Sequence, residues 1–226
     1  MSKHGTFSSI TKKVIMSLAG LFLIIFLLVH LGINLFLMPL TENHQEIFEL
    51  LAGFMATNPA IKVMEVFLFG GFIIHIIYGI IVQLQNWASR GNIRYKSGNK
   101  TKTTFSSQNM IWTGILVFLF LALHMYQFYF IKLGLNTTSF MDAAGHPEFY
   151  KVAVALFTTQ PIYSVLYIII FVILGFHLYH AFQSAFQTLG WEHPKYTPFI
   201  KAAGTIYSIV VPMGFIIIPL YFMIMH

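Results

Sequence analysis

The sequence lacks cysteine altogether and is poor in charge, and each absence excludes a class of protein. Without cysteine there are no disulfides, thiolate-bound clusters or cysteine nucleophiles, so metal chemistry must use histidine, carboxylate or methionine ligands. Only 9% of the 226 residues are charged and 57% are hydrophobic, whereas roughly 25% of a soluble domain is charged. This composition predicts an integral membrane protein in a lipid bilayer, with no nucleic-acid partner despite a formal charge of +6.

Long apolar segments divide the chain into five candidate membrane spans. Each is long enough for the roughly twenty residues that cross a bilayer as a helix. The sequence therefore predicts an all-α membrane protein, a single domain over residues 1–226 with a bundle of five transmembrane helices. The expected spans are Val14–Met38, Pro59–Gln85, Gln108–Ile131, Pro161–Thr188 and Ala202–Met225.

Local signals support these bounds. Capping residues and first-turn prolines precede four of the spans, where a helix entry favours them. They are Thr11, Asn58 with Pro59, Ser106 with Ser107, and Thr159 with Pro161. The fifth span contains Pro212 and Pro219, which predict a kinked helix whose freed carbonyls are met by neighbouring groups.

The basic residues alternate between the two sides of the predicted bundle. Ten of the thirteen lie in the N-terminal tail and in the second-to-third and fourth-to-fifth loops, and the positive-inside rule places these segments in the cytoplasm. Six of the seven acidic residues lie on the other side. The N-terminus is then cytoplasmic and the C-terminus periplasmic, as in a multi-pass protein of a bacterial inner membrane. The ten are Lys3, Lys12, Lys13, Arg90, Arg94, Lys96, Lys100, Lys102, Lys195 and Lys201.

Four histidines lie at one repeated depth in the first four spans. His30, His75, His124 and His177 follow Lys13, Pro59, Gln108 and Pro161 by 17, 16, 16 and 16 residues. Polar ionisable groups at membrane depth are costly, so they are functional by default. Each offset corresponds to roughly 24 Å of helix.

Because successive helices run in opposite directions, the four histidines form two layers. His30 and His124 lie toward the outer face, and His75 and His177 lie toward the cytoplasm. Two histidines from two parallel helices in each layer is the arrangement needed for bis-histidine ligation of two stacked haems in a bundle core. A single membrane histidine can instead serve as an interhelical hydrogen-bond partner, so the inference depends on the matched depths.

Two glycines repeat the pattern. Gly20 precedes His30 and Gly114 precedes His124 by ten residues, about 15 Å, which brings each glycine to the level of the other histidine layer. A missing side chain there lets a flat macrocycle lie close to the helix. Close packing of membrane helices explains such glycines equally well.

The chain resembles the five-helix dihaem cytochrome b subunits of succinate dehydrogenase and fumarate reductase over nearly its whole length. The segments that carry the resemblance are Ser17–Phe22 before His30, Asn86–Arg90 after His75, Thr113–Gly114 before His124, and Gly190–Trp191 after His177. Helix order, one histidine on each of the first four helices, and the spacing of His177 from Trp191 all match the family.

The resemblance implies a function in electron transfer. His75 and His177 would bind the iron of an inner haem b, and His30 and His124 that of an outer one. Electrons would pass between a cytoplasmic iron–sulfur subunit and a membrane quinone, with menaquinone the expected type. A flavoprotein subunit would carry the succinate or fumarate chemistry, so this chain holds no catalytic residue for the dicarboxylate.

Four further residues are candidates for supporting roles. Ser17 matches a family position for a haem propionate contact. Arg90 is proposed for the same role from its place at the cytoplasmic end of the second helix, where a solvated residue of the positive-inside pattern fits it equally. His180, one turn beyond His177, is a candidate for a propionate or indirect hydrogen bond, although simple packing fits it equally. Glu65, ten residues outward of His75, is the candidate quinone-site acid, or else an interfacial carboxylate.

Two rival functions follow from the same histidines. A cytochrome b subunit of a hydrogenase or formate dehydrogenase is disfavoured because those bundles cluster their ligands on fewer helices. A haem-free transporter or proton relay would need further acids or broken helices, and the first four spans hold only Glu65.

Overall fold

The computed structural model of the chain describes residues 8–90 and 109–225, apart from the side chains of residues 9, 89 and 90. These ranges are helical except for loops and one isolated bridge between Met141 and Pro147. The helices are α1 (Ser9–Asn34), α2 (His44–Thr57), α3 (Pro59–Arg90), α4 (Met110–His124), α5 (Phe149–Thr159), α6 (Pro161–Thr188) and α7 (Thr197–Met225).

Two helices have short non-α extensions. A 3₁₀ turn, Leu35–Leu37, follows α1. A π-helical segment, Met125–Tyr129, follows α4 directly and leads into a last α turn, Phe130–Lys132. The second extension begins immediately after His124, so it changes the direction of the side chains beyond that residue.

Within the described residues, five helical segments are long and apolar enough to cross a membrane, which confirms the predicted all-helical membrane protein. They are Ile10–Leu37, Pro59–Ala88, Met110–Lys132, Pro161–Thr188 and Thr197–Met225. The predicted start of the third span at Gln108, with Ser106 and Ser107, falls outside the described residues.

The helices of the first and fifth spans, α1 and α7, begin earlier than expected. The hydroxyl of Ser8, not Thr11, caps α1, since it accepts a hydrogen bond from the Thr11 backbone N–H. Helix α7 begins at Thr197, with Pro198 in its first turn, five residues before the expected Ala202. Hydropathy identifies the part of a helix that is in lipid, whereas the cap decides where the helix starts.

Asn58 begins the second span as expected. Its side-chain oxygen accepts hydrogen bonds from the backbone N–H groups of Ala60 and Ile61, at 2.9 and 3.4 Å. Two of the otherwise unpaired donors at the start of α3 are thereby satisfied, and Pro59 removes a third.

Two short helices that hydropathy does not reveal cover one end of the bundle. Helices α2 and α5 lie where α1 ends and α3 and α6 begin, which we call the capped end. The Tyr150 backbone N–H donates to Glu49 Oε1 at 2.8 Å, and His44 Nδ1 lies 3.1 Å from the Phe36 carbonyl oxygen. Glu49 is partly buried at this link between α2 and α5, and its burial raises the pKa of the carboxyl group.

The most extensive helix contact among the described residues joins α6 and α7, and two glycines permit close approach there. A Cβ built on Gly204 would lie 2.7 Å from Cδ1 of Phe182, and one on Gly175 would lie 3.0 Å from the Ser208 carbonyl oxygen. That carbonyl is the one that Pro212, lacking an N–H, cannot bond. The predicted kink of this helix stays a prediction.

Helices α1, α3, α4 and α6 carry the four membrane histidines. Helix α1 packs on α3 and α6, and α4 packs on α6, whereas α3 and α4 meet only weakly. The buried core lies between α1, α6 and α7 and the capping helices, and includes Leu37, Phe171, Phe215 and Phe222. Many large apolar side chains of α3 are exposed, as expected for a helix that faces lipid.

Candidate functional site

The four membrane histidines form two facing pairs inside the bundle. The ring centroids of His30 and His124 are 5.8 Å apart with an interplanar angle of 81°. Those of His75 and His177 are 6.3 Å apart with an angle of 75°. Each pair joins two helices that run in the same direction, α1 with α4 and α3 with α6, and these are the two pairs expected from the sequence.

The glycines fix the relative level of the two pairs. A Cβ built on Gly20 would lie 3.4 Å from Cε1 and Nδ1 of His75, and one on Gly114 would lie 3.5 Å from Cε1 of His177. Gly20 precedes His30 by ten residues, so the two histidine pairs are separated by about 15 Å along α1. The His30–His124 pair is the one nearer the capped end.

Hydrogen bonds orient the two rings of the His75–His177 pair. His75 Nδ1 lies 3.4 Å from the Met16 carbonyl oxygen, so its N–H is the donor. His177 Nδ1 lies 3.3 Å from Oγ1 of Thr113, whose hydroxyl donates to the Met110 carbonyl oxygen at 2.9 Å. Because the Thr113 hydroxyl donates its only hydrogen to Met110, it can only accept from His177, and His177 Nδ1 is therefore the donor. Nε2 of both His75 and His177 keeps its lone pair.

The His30–His124 pair has different hydrogen-bond partners. His124 Nδ1 lies 3.2 Å from the Tyr167 hydroxyl, which itself donates to Gln127 Oε1 at 2.7 Å. The Asn34 amide nitrogen donates to the His30 carbonyl oxygen at 2.8 Å and lies 3.4 and 3.5 Å from the two ring nitrogens of His30. One ring of this pair therefore has a defined donor nitrogen, and the other does not.

Aromatic rings surround the His30–His124 pair. Phe26 stacks on His30 at 5.3 Å, and Phe120 stacks on His124 at 5.8 Å. Phe215 lies 5.8 Å from His30 on another side. A flat apolar group would find aromatic rings as its lining here and two imidazoles as nitrogen ligands.

Each pair fits the axial ligands of a haem. Two imidazoles on one metal have ring centroids about 6 Å apart, because each metal–nitrogen bond is roughly 2 Å. The observed separations are 5.8 and 6.3 Å. Among the described residues no group of three or more His, Cys, Asp or Glu side chains is placed to hold a metal ion. A haem iron needs only two such side chains, since the macrocycle supplies its other four ligands.

Two of the candidate propionate residues lie near the His75–His177 pair. Ser17, one turn before Gly20, is 5% exposed. His180 is half-buried on α6, one turn beyond His177. The side chain of Arg90 lies outside the described residues, so its proposed role stays a prediction.

Glu65 forms an ion pair at the capped end. Its Oε2 lies 2.8 Å from Nζ of Lys132, at the end of the third span, and the two side chains are 17% and 22% exposed. Lys132 Nζ also lies 5.4 Å from the centroid of the Tyr129 ring. The sequence did not indicate these partners, because 67 residues separate Glu65 from Lys132.

Three polar residues near the histidine rings were missed as site residues. Thr113 occurs in a segment of family resemblance, but nothing in the sequence assigns it to a ring nitrogen. Tyr167 stands ten residues before His177, the spacing that relates Gly20 to His30, and this spacing could have indicated it. Gln127 could not be found this way, since the π-helical turn that directs it inward is not apparent in the sequence.

No family model, curated protein or solved structure matches the chain significantly. The fold and site by themselves define a multi-pass helical membrane protein with two facing histidine pairs. One pair joins the first and third spans, and the other joins the second and fourth.

Proposed function

We propose that this chain is a dihaem cytochrome b that anchors a succinate:quinone oxidoreductase in a bacterial inner membrane. The observation that carries the proposal is the pairing of four membrane histidines as His30 with His124 and His75 with His177. Both separations match bis-imidazole ligation, and the two pairs are stacked along the bundle. The choice of enzyme depends on the family resemblance of the sequence.

Bound haem b would supply one-electron transfer through the membrane interior. The four histidines would hold the haem irons through their imidazoles, and the protein orients the ring of His75 through the Met16 carbonyl and that of His177 through Thr113. Gly20 and Gly114 leave space beside this pair. Ser17 and Arg90 are proposed to meet propionate groups at the same end, with His180 as a further candidate.

The proposed orientation follows from the basic loops. The capped end, with α2 and α5, would face the periplasm, and the end bearing the N-terminus would face the cytoplasm. An iron–sulfur subunit with its flavoprotein partner would then dock beside the His75–His177 pair. Electrons would pass between that subunit and a membrane quinone, for which menaquinone is proposed.

The haem content of the purified complex tests the proposal. A pyridine haemochrome assay should give two haems b per chain, and the reduced-minus-oxidised spectrum should show b-type bands. A preparation of folded protein with no haem would overturn the cytochrome assignment. The histidines would then belong to a haem-free relay, although Glu65 is the only carboxylate within the described spans.

Glu65 is proposed as a proton-exchanging group at the quinone site. We expect Glu65→Gln to leave haem content unchanged and to slow quinone turnover by about tenfold or more, since a positioned acid or base contributes roughly 10²–10⁴-fold. The measurement is the rate of haem oxidation by a soluble quinone in stopped flow. Glu148→Gln is the matched control, because Glu148 also pairs with a lysine, Lys151, at 2.7 Å. Equal rates in both variants would remove Glu65 from the quinone site.

A further inference from the structure

A π-helical turn directly follows His124 and places a glutamine inside the bundle. The segment Met125–Tyr129 follows the last residue of α4, and Gln127 within it is only 9% exposed. A π turn inserts one extra residue and so rotates the following side chains relative to a regular helix. In this chain the result is that Gln127 Oε1 faces the hydroxyl of Tyr167 on α6, at 2.7 Å.

The donor and acceptor of each hydrogen bond among His124, Tyr167 and Gln127 can be assigned. The Tyr167 hydroxyl donates its only hydrogen to Gln127. Toward His124 Nδ1, 3.2 Å away, the same oxygen can therefore only accept. His124 must carry its proton on Nδ1, which leaves the Nε2 lone pair free for a metal.

The Tyr167–His124 contact is enclosed by protein side chains. Tyr167 is 3% exposed, and its ring is enclosed edge-to-face by Phe120, Phe157 and Phe171 at centroid distances of 4.7, 5.1 and 5.8 Å. Removal of the hydroxyl would take from His124 Nδ1–H the acceptor that it has in this structure. A buried tyrosine, held by a buried glutamine, therefore accepts the hydrogen bond from one nitrogen of His124.

Among the described residues, no acceptor comparable to the Tyr167 hydroxyl faces a ring nitrogen of His30. Near His30 the polar group is the Asn34 amide nitrogen, a donor, and it lies almost equally far from both ring nitrogens. In this pair, the hydrogen bond that defines a ring tautomer is therefore the one at His124.

We propose that Tyr167, held by Gln127, is a positioning residue that sets the tautomer of His124 and the reduction potential of the haem bound between His30 and His124. The inference depends on the proposed function. An acceptor on Nδ1–H makes an imidazole a stronger electron donor to iron, which favours the oxidised metal. The Tyr167 hydroxyl should accordingly hold the potential of this haem below the value it would have without the bond.

The test compares potentials in complexes of the full chain. Tyr167→Phe keeps the ring and removes the acceptor. We expect both haems to be retained and the midpoint potential of one to rise, with a three- to tenfold change in its ferric-to-ferrous ratio at fixed potential; tenfold is 59 mV for one electron. The low-spin ferric EPR signal of the same haem should also move. His124→Ala, which removes that haem, identifies which signal it is.

Tyr207→Phe is the matched control, because the Tyr207 hydroxyl donates to the Ile24 carbonyl oxygen at 2.7 Å and bonds neither histidine pair. It removes a phenol hydrogen bond between helices without changing a ring nitrogen. Both of its potentials should equal those of the unaltered protein. Gln127→Leu keeps the Tyr167 acceptor but removes its support, so its shift should have the same sign and be smaller.

The outcomes separate the inference from the proposed function. Absence of haem from the unaltered complex would overturn both. Two haems in the unaltered complex, with potentials and EPR signals in Tyr167→Phe and Gln127→Leu equal to those of Tyr207→Phe, would overturn the positioning role and leave the cytochrome assignment intact. If Tyr167→Phe loses the haem, the comparison of Gln127→Leu with Tyr207→Phe decides the result. A raised potential in Gln127→Leu supports the positioning role, and an unchanged potential overturns it.

Discussion

Replacement of His124 by alanine should remove one haem per chain and leave the other in place. The same result is expected for His30→Ala, since these two rings face each other at 5.8 Å and share one proposed iron. An alanine offers the metal no ligand, and the apolar rings around the site supply no substitute. Haem b, measured by pyridine haemochrome, should fall from two to one per chain.

The remaining haem should be the same in both variants and different from the one retained in His75→Ala and His177→Ala. The about 15 Å between the two pairs, inferred from Gly20 and His30, makes loss of one haem separable from loss of the other. Full haem content in any of the four would remove that histidine from the proposed ligands.

His180→Ala provides the matched comparison for the His177 variant. His180 lies one turn away on the same helix and is half-buried, but no facing histidine lies opposite it among the described ring contacts. Two haems should be retained in His180→Ala. If that variant loses a haem while His177→Ala keeps it, the assignment of the two histidines is reversed.

Replacement of Gly20 by leucine should remove the haem held by His75 and His177 without unfolding the bundle. Even a Cβ at this position would lie 3.4 Å from the His75 ring, so the longer side chain would occupy the space assigned to the macrocycle. Leucine also has higher helix propensity than glycine, so α1 itself should not be weakened. Haem content should fall to one per chain, with the His30–His124 haem retained.

Gly32→Leu is the control for this prediction. Gly32 lies on the same helix, and a Cβ built there has nothing within 4 Å. Its haem content should equal that of the unaltered protein. Two haems in Gly20→Leu as well would mean that Gly20 only permits helix packing, which was the other interpretation of the glycine repeat.

The five spans were predictable because burial in lipid requires long apolar helices whatever their neighbours are. Helices α2 and α5 were not, since short amphipathic segments such as His44–Thr57 gain their stability from the surface they cover. The early starts of α1 and α7 were missed for a related reason, because Ser8 and Pro198 lie outside the apolar stretch that marks a span.

The sequence by itself determined the depth of each histidine and hence which two could face each other, because helical rise and alternating helix direction fix height in a bundle. It did not determine what each ring nitrogen would meet. That Thr113 faces His177, that Tyr167 and Gln127 support His124, and that Glu65 pairs with Lys132 were decided by helix rotation, by packing and by one π turn. These contacts join residues far apart in the chain, and a periodic pattern along one helix carries no information about the rotation of the next.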